Sequence, residues 1–271
     1  MRGLPRDRSG LRAAPGLNRV RAMRNAAVVA LAILSAAPSA LAQHMVAVDS
    51  SRALYEIDIA TGAKTSIGTV SANAGTTAGL ALGAGNTVYL SSTSLDSLFT
   101  LDLLTGNATL VGAYGDAAVV MHGLEYVPAT GKLYGLSSHN NGLYDVNPAT
   151  GAATLIGTSG LTSFSNLGWN SVAGVMYLTN SGTDSLYTIN LATGATTLVG
   201  ALAGPTNPNG VAFNSTNGQM YLVDNSTDSL YTLNLATGAA TLVGSTGTGN
   251  LLGLVWMPGS LPVELQGFTA E

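Results

Sequence analysis

The chain has 271 residues, no cysteine and a formal net charge of −4, but the charge is unevenly distributed. Seven arginines and one acid give residues 1–42 a charge of +6, whereas three basic and thirteen acidic residues give the remainder −10. A domain with three cations cannot neutralise many phosphates, so we expect neither nucleic acid nor an anionic membrane as a partner. Without disulfides, its stability must come from burial of apolar surface.

Residues 1–42 have the pattern of a secretory signal peptide. A basic stretch ends at Arg24, an apolar run covers 26–34, and the small-x-small site Ala40-Leu41-Ala42 precedes Gln43. The apolar run is shorter than the ~20 residues that a transmembrane helix needs. We therefore predict export to the extracellular space, the cell surface or the periplasm, from a start at Met1 or Met23. A retained membrane anchor is the alternative.

The rest of the chain is a repeat. A Thr-Gly pair recurs at intervals of 44, 45, 43 and 44 residues, at Thr61-Gly62, Thr105-Gly106, Thr150-Gly151, Thr193-Gly194 and Thr237-Gly238. Each copy holds four short strand patterns separated by turn residues, and no segment keeps a helical period. Many short, evenly spaced strands are typical of a propeller or a β-solenoid.

The Thr-Gly pair itself has a structural interpretation. It joins the third and fourth strands of each copy, and an Asp or Asn four residues before the glycine can accept turn N–H groups. The glycine supplies the positive φ that such a turn requires.

The two ends of the repeat region predict a closed ring. The first copy lacks an innermost strand, and the last is followed by an unpartnered strand over 253–257. We therefore predict an all-β, five-bladed propeller with four-stranded antiparallel blades, closed when the C-terminal strand joins the N-terminal blade. The propeller covers 43–258, with blades at about 43–70 plus 252–257, 78–112, 122–157, 166–200 and 209–244.

The innermost strands repeat a small residue followed by a large one. The small positions are Ala81, Gly168, Ala212 and Val255, and the large ones are Leu82, Tyr126, Trp169, Phe213 and Trp256. Small residues let strands approach the axis, and large ones fill the space between blades. We favour this core interpretation for the aromatic series over a ladder that stacks on sugars.

Two segments resemble known families. LYDVNPATG (143–151) and LYTLNLATG (230–238) are similar to the L-Y-x-x-D-x-x-T-G repeat of quinoprotein-type bacterial propellers, and more closely to secreted bacterial proteins with LYTIDxxTG-type repeats. The quinoprotein repeat implies a tryptophan that docks between blades four residues after the glycine. Its positions here hold Ser66, Leu110, Leu155, Leu198 and Leu242, so we do not expect a quinone cofactor.

The second resemblance lies at the C-terminus. LPVELQGFTA (261–270) resembles the opening of a β-sandwich module in secreted Bacteroidota-type proteins, often ahead of a sorting tail. Residues 259–271 are therefore either a linker or the truncated start of a further module, and in the second case the chain is a fragment of a longer protein. A frayed tail is the alternative.

A candidate ligand site centres on Glu125, which replaces the small residue of the innermost strand. His122 precedes it by three residues and Asp116 lies in the same inter-blade loop, so we expect an acid–imidazole cluster. Asn166 and Asn209 begin neighbouring innermost strands and complete the predicted site. The alternative for Glu125 is a solvated channel residue.

Short polar residues recur where the second strand passes to the third. Oxygen-rich loops on an acidic protein could bind calcium, and the predicted ligands are Asp49, Asp96, Asp184, Asp224 and Asp228. Asx turns require the same residues for conformational reasons alone, and we favour that alternative.

No strong catalytic motif is present. The inter-blade loops differ most between copies, at 71–78, 113–121, 158–165, 201–209 and 245–250. Because recognition concentrates in variable loops on a rigid scaffold, we expect a monomeric, non-catalytic binding or display module for a glycan or an extracellular protein. The alternative is a polysaccharide hydrolase or lyase with its site at the channel mouth, which would require two facing carboxylates.

Overall fold

The computed structural model describes residues 44–259, so the predicted signal peptide and the C-terminal segment from 260 lie outside the described residues. Two 3₁₀ turns cover Ala72–Ala74 and Ala84–Asn86. The strands in chain order are β1 (His44–Asp49), β2 (Ala53–Ile57), β3 (Lys64–Thr69), β4 (Thr77–Leu82), β5 (Val88–Ser92), β6 (Ser97–Leu101), β7 (Ala108–Ala113), β8 (Met121–Val127), β9 (Lys132–Ser137), β10 (Gly142–Val146), β11 (Ala153–Thr158), β12 (Ser165–Asn170), β13 (Val175–Asn180), β14 (Ser185–Ile189), β15 (Thr196–Ala201), β16 (Pro208–Asn214), β17 (Gln219–Asp224), β18 (Ser229–Leu233), β19 (Ala240–Ser245) and β20 (Leu251–Met257).

The strands form five antiparallel four-stranded sheets, which are the blades of a five-bladed β-propeller. From the axis outward their orders are β20-β1-β2-β3, β4-β5-β6-β7, β8-β9-β10-β11, β12-β13-β14-β15 and β16-β17-β18-β19, called blades 1 to 5 below. The innermost strands β4, β8, β12, β16 and β20 contact one another in a closed cycle. The predicted fold class is thus confirmed.

Ring closure occurs in blade 1, as predicted. The C-terminal strand β20 pairs antiparallel with β1, so that Met45 lies opposite Trp256, Val46 opposite Val255 and Ala47 opposite Leu254. The three β1 residues are fully buried. Backbone hydrogen bonds therefore join the two ends of the repeat region, and no radial gap separates blade 1 from the strand that completes it.

The apolar core consists of five clusters, and each fills the space between two neighbouring blades. The small residues Ala81 and Ala212 are buried against the adjoining blade. The large residues that follow the small positions each join one inter-blade cluster, and they are Leu82, Tyr126, Trp169, Phe213 and Trp256. This register confirms the core interpretation of the aromatic series.

The Thr-Gly turns have the predicted geometry. In blade 5, the side-chain Oδ1 of Asn234 accepts the N–H of Ala236 at 2.9 Å, and its backbone carbonyl accepts the N–H of Gly238 at 2.8 Å. Gly238 has φ +82°, a conformation that residues with a Cβ rarely adopt. The same bonds recur in the other four copies, so this element is scaffold.

The alternation of strands gives the propeller two different faces. The loop face carries the inter-blade connections and the turns between second and third strands. The turn face carries the turns between first and second strands together with the Thr-Gly turns. Every innermost strand therefore begins at the loop face and ends at the turn face. Among residues 44–259, no helix is long and apolar enough to span a membrane.

Candidate functional site

Four of the five predicted ligand residues lie on the loop face. His122, Asn166 and Asn209 stand in the first half of their innermost strands, and Asp116 lies in the connection from β7 to β8. These strands belong to blades 3, 4 and 5, whose innermost strands adjoin one another around the axis. The structure thus places residues from three consecutive blades at the same end of the channel.

His122 is held in one orientation by a polar and an aromatic neighbour. Its Nδ1 lies 2.9 Å from the Oγ of Ser138, and its ring centroid lies 4.5 Å from that of Phe164. Burial lowers the pKa of the His122 imidazole to about 4. The ring is therefore neutral at physiological pH, while Phe164 remains 43% exposed on the loop face.

Asn166 and Asn209 are almost completely buried, at 4% and 2% exposure. The Nδ2 of Asn209 donates to the carbonyl of Asn207 at 2.9 Å. Its Oδ1 and the Nδ2 of Asn166 have no hydrogen-bond partner in the part of the chain that the structure describes. A buried polar group without a partner costs about 1–3 kcal/mol. Because both atoms are shielded from solvent, a ligand on the loop face would reach them only after a local rearrangement.

Asp116 does not join His122 in a cluster. It is exposed, and its Oδ1 accepts the N–H of Ala118 at 2.8 Å within its own loop. This contact is an Asx turn, which shapes the loop that precedes β8.

Glu125 lies apart from the other four candidates, near the turn-face end of β8. Three residues of strand separate it from His122, a rise of about 10 Å, so the expected acid–imidazole cluster does not form. Its Oε1 accepts the N–H of Tyr126 at 3.1 Å, and its Oε2 accepts the N–H of Trp169 in the next blade at 3.2 Å. Burial raises the pKa of the Glu125 carboxyl to about 8, although the two N–H donors act in the opposite direction.

The five aspartates predicted as calcium ligands lie in turns of four different blades. Both carboxylate oxygens of Asp224 already accept hydrogen bonds: Oδ1 accepts from Ser226 and Thr227 of its own turn, and Oδ2 accepts the N–H of Asn207 in the preceding inter-blade loop at 2.7 Å. The Oδ1 of Asp49 likewise accepts from Ser51 and Ala53.

The other three aspartates occupy the left-handed position of their turns. Asp96, Asp184 and Asp228 have φ of 45°, 48° and 48°. Within residues 44–259, no group of three or more acidic or imidazole side chains is close enough to hold a metal ion. The hydrogen bonds of Asp49 and Asp224 and the backbone angles of the other three aspartates therefore fit the Asx-turn interpretation.

Sequence reasoning missed a pocket at the turn-face end of the axis. It has a volume of about 130 Å³, and its lining includes Leu82, Glu125, Tyr126, Trp169, Phe213, Val255 and Trp256. The large residues of the innermost strands therefore pack between blades and also surround an axial opening. Their shared position in the repeat was the available signal, but the sequence did not show that they converge on one cavity.

Comparison with known proteins identifies the repeat and supports the fold. A family model described as "Repeat of unknown function (DUF6923)" matches residues 106–250. No curated protein sequence is significantly similar to this chain.

Among solved structures, a protein of unknown function from Bacteroides thetaiotaomicron is similar at 16% identity and a TM-score of 0.57, covering 82% of this chain and 66% of that chain. A chain from a nidogen/laminin complex is similar at 13% identity and a TM-score of 0.56, covering 79% of this chain and 98% of that one. Virginiamycin B lyase from Staphylococcus aureus is similar at 12% identity and a TM-score of 0.50, covering 75% and 67%. At these identities the similarity shows the fold alone.

Proposed function

This chain belongs to the DUF6923 family of repeat proteins, and we propose that it is an exported, non-catalytic binding module that recognises its ligand on the loop face. The observation that carries the proposal is the contrast between the two faces. The turn face repeats the same Thr-Gly turn in every blade, whereas each blade contributes a different connection to the loop face. Variable segments on a rigid scaffold are where proteins place recognition.

The chemistry of the loop face favours a neutral glycan over a protein as the ligand. The ring of Phe164 is 43% exposed and offers an apolar platform on which the face of a sugar ring can stack. The adjoining imidazole of His122 is neutral, so this group of side chains carries no net charge. An extracellular protein is the second ligand class, and the binding experiment includes it.

The hydrolase or lyase alternative requires two carboxylates facing each other across the channel. On the five innermost strands, all within the described residues, Glu125 is the only acidic residue. It also lies at the turn-face end, away from the variable loops. We therefore favour binding over catalysis.

A glycan array probed with the protein tests this function. Wild type is expected to bind a restricted set of neutral glycans, and Phe164→Ala is expected to weaken that binding at least tenfold through loss of the apolar platform. Val172→Ala is the matched control, since Val172 is a 78% exposed apolar residue in a turn of the opposite face. Selective capture of an immobilised extracellular protein, weakened by Phe164→Ala, would assign the loop face to the second ligand class. Equal loss in both variants, or no binding by wild type to either class, would contradict the proposal.

A further inference from the structure

Four aromatic residues from four blades line the axial pocket on the turn face. Tyr126, Trp169, Phe213 and Trp256 hold the same position in β8, β12, β16 and β20, and Leu82 holds it in β4. We call the four rings the aromatic collar. Because the innermost strands are about parallel around the axis, one repeated position brings the rings to the same depth.

One carboxylate stands in the wall of this pocket. Glu125 occupies the position at which the other four innermost strands carry Ala81, Gly168, Ala212 and Val255. Its two oxygens accept backbone N–H groups of Tyr126 and Trp169, and these bonds hold the carboxylate beside the collar.

Within residues 44–259, no cationic side chain lines the pocket beside Glu125. The described residues that line the pocket include no lysine, arginine or histidine. An acidic group in an apolar site without a counter-ion is unfavourable in its charged form, so it either keeps its proton or takes a cation from outside.

We propose that the pocket binds a small organic cation, an alkylammonium or quaternary ammonium group, with Glu125 as its counter-ion and the aromatic collar as its wall. Aromatic faces attract cations through their quadrupoles. The negative charge of Glu125 favours a cation over a neutral apolar ligand of the same shape. The net charge of −10 beyond residue 42 also attracts cations from the surrounding solution.

The size of the pocket selects one small group rather than a sugar chain. Its volume of about 130 Å³ lies below the roughly 300–1,000 Å³ of ordinary ligand sites. The ligand is therefore a free small ammonium compound or the ammonium end of a larger molecule. This site is separate from the loop face, so either function can fail without the other.

Tryptophan fluorescence is a specific reporter for this binding. The chain has two tryptophans, Trp169 and Trp256, and both line the pocket. Titration with choline should give a saturable change in emission, whereas sodium chloride at equal ionic strength should give none. The uncharged isostere 3,3-dimethylbutan-1-ol should bind at least tenfold more weakly. Equal binding of the alcohol would show an apolar pocket with no cation preference, and a non-saturable choline response would show no site; either result overturns the proposal.

Variants then test the counter-ion. Glu125→Gln should weaken choline binding at least tenfold, while Glu56→Gln, the same change in β2, should leave it unaltered. Undiminished binding by Glu125→Gln would overturn the proposal. If that variant does not fold, wild-type affinity at different pH values decides, because Glu125 and Tyr126 are the only ionisable side chains among the described residues lining the pocket. Choline affinity should rise between pH 6 and pH 9 as the carboxyl loses its proton, and an affinity that stays constant or falls would contradict the assignment.

Discussion

Gly238 of blade 5 lies directly against Gly200 of blade 4. A Cβ on Gly238 would stand 2.4 Å from the carbonyl oxygen of Gly200, and a Cβ on Gly200 would stand 2.0 Å from that of Thr237. Each Thr-Gly turn thus sits on the outermost strand of the preceding blade with no side chain between the two backbones. The equivalent contacts join Gly62 to Gly244, Gly106 to Thr69, Gly151 to Gly112 and Gly194 to Gly157.

This contact lies in the same outer region of the blades where the quinoprotein resemblance implies a docking tryptophan. The leucines at those positions, Leu110, Leu155, Leu198 and Leu242, are exposed instead. Neighbouring blades here meet through close backbone packing. In this chain, close backbone packing at the glycines therefore takes the place of the tryptophan that docks between blades in the quinoprotein repeat.

Gly200→Ala should destabilise the propeller by about 1–3 kcal/mol, because the added methyl group would overlap the backbone of the next blade. Urea unfolding followed by circular dichroism measures this difference. Gly204→Ala is the matched control, since the nearest atom to a Cβ at Gly204 is 4.0 Å away. If both variants were equally stable, the backbone contact would not be what requires glycine.

A chain that ends at residue 252 should lose cooperative unfolding. It lacks most of β20, so β1 loses its inner partner and the buried side chains of Met45 and Ala47 lose their cover. A chain that ends at residue 259 keeps the strand and is the control. Differential scanning calorimetry should show one sharp transition for the control and a broad or absent one for the shorter chain. If both chains showed a sharp transition at the same temperature, the predicted role of β20 in ring closure would be wrong.

Stability should depend on pH through Glu125. Its folded-state pKa of about 8 lies above the ordinary 4.5, so the folded protein binds this proton more tightly than the unfolded chain does. The stabilisation is complete below pH 4.5 and is lost as the pH rises to 8, at up to about 1.4 kcal/mol per pH unit. Thermal unfolding from pH 5 to 8.5 in sodium phosphate, which contains no ammonium ion, should show the decline in wild type. Glu125→Gln should remove it, and an identical decline in that variant would assign the effect to another group.

Calcium should not change the unfolding temperature. Both carboxylate oxygens of Asp224 already accept hydrogen bonds from turn and loop donors, so binding a metal would break bonds as well as form them. Asp224→Ala should cost about 1–3 kcal/mol of stability with or without calcium, because the buried Asp224 side chain accepts the hydrogen bonds that hold the turn and the Asn207 loop together. Unfolding scans in EDTA and in calcium chloride measure both effects. A rise in unfolding temperature with calcium that Asp224→Ala abolishes would favour the metal interpretation instead.

The repeat determined the fold at the level of the sequence. The Thr-Gly interval, the strand patterns and the unpartnered strand over 253–257 together predict the number of blades and the mode of closure. These features are local or periodic: Asn234 and Gly238 form their turn within five residues, and the count of strands leaves one place for β20.

The sites depend on the tertiary structure. His122 and Glu125 are close in the sequence, but a strand carries them toward opposite ends of the channel. Trp169, Phe213 and Trp256 are more than forty residues apart, and only the closed ring brings their side chains around one pocket. Spacing along the chain therefore predicts hydrogen-bonded turns and strands, whereas convergence on the axis is a property of the assembled blades.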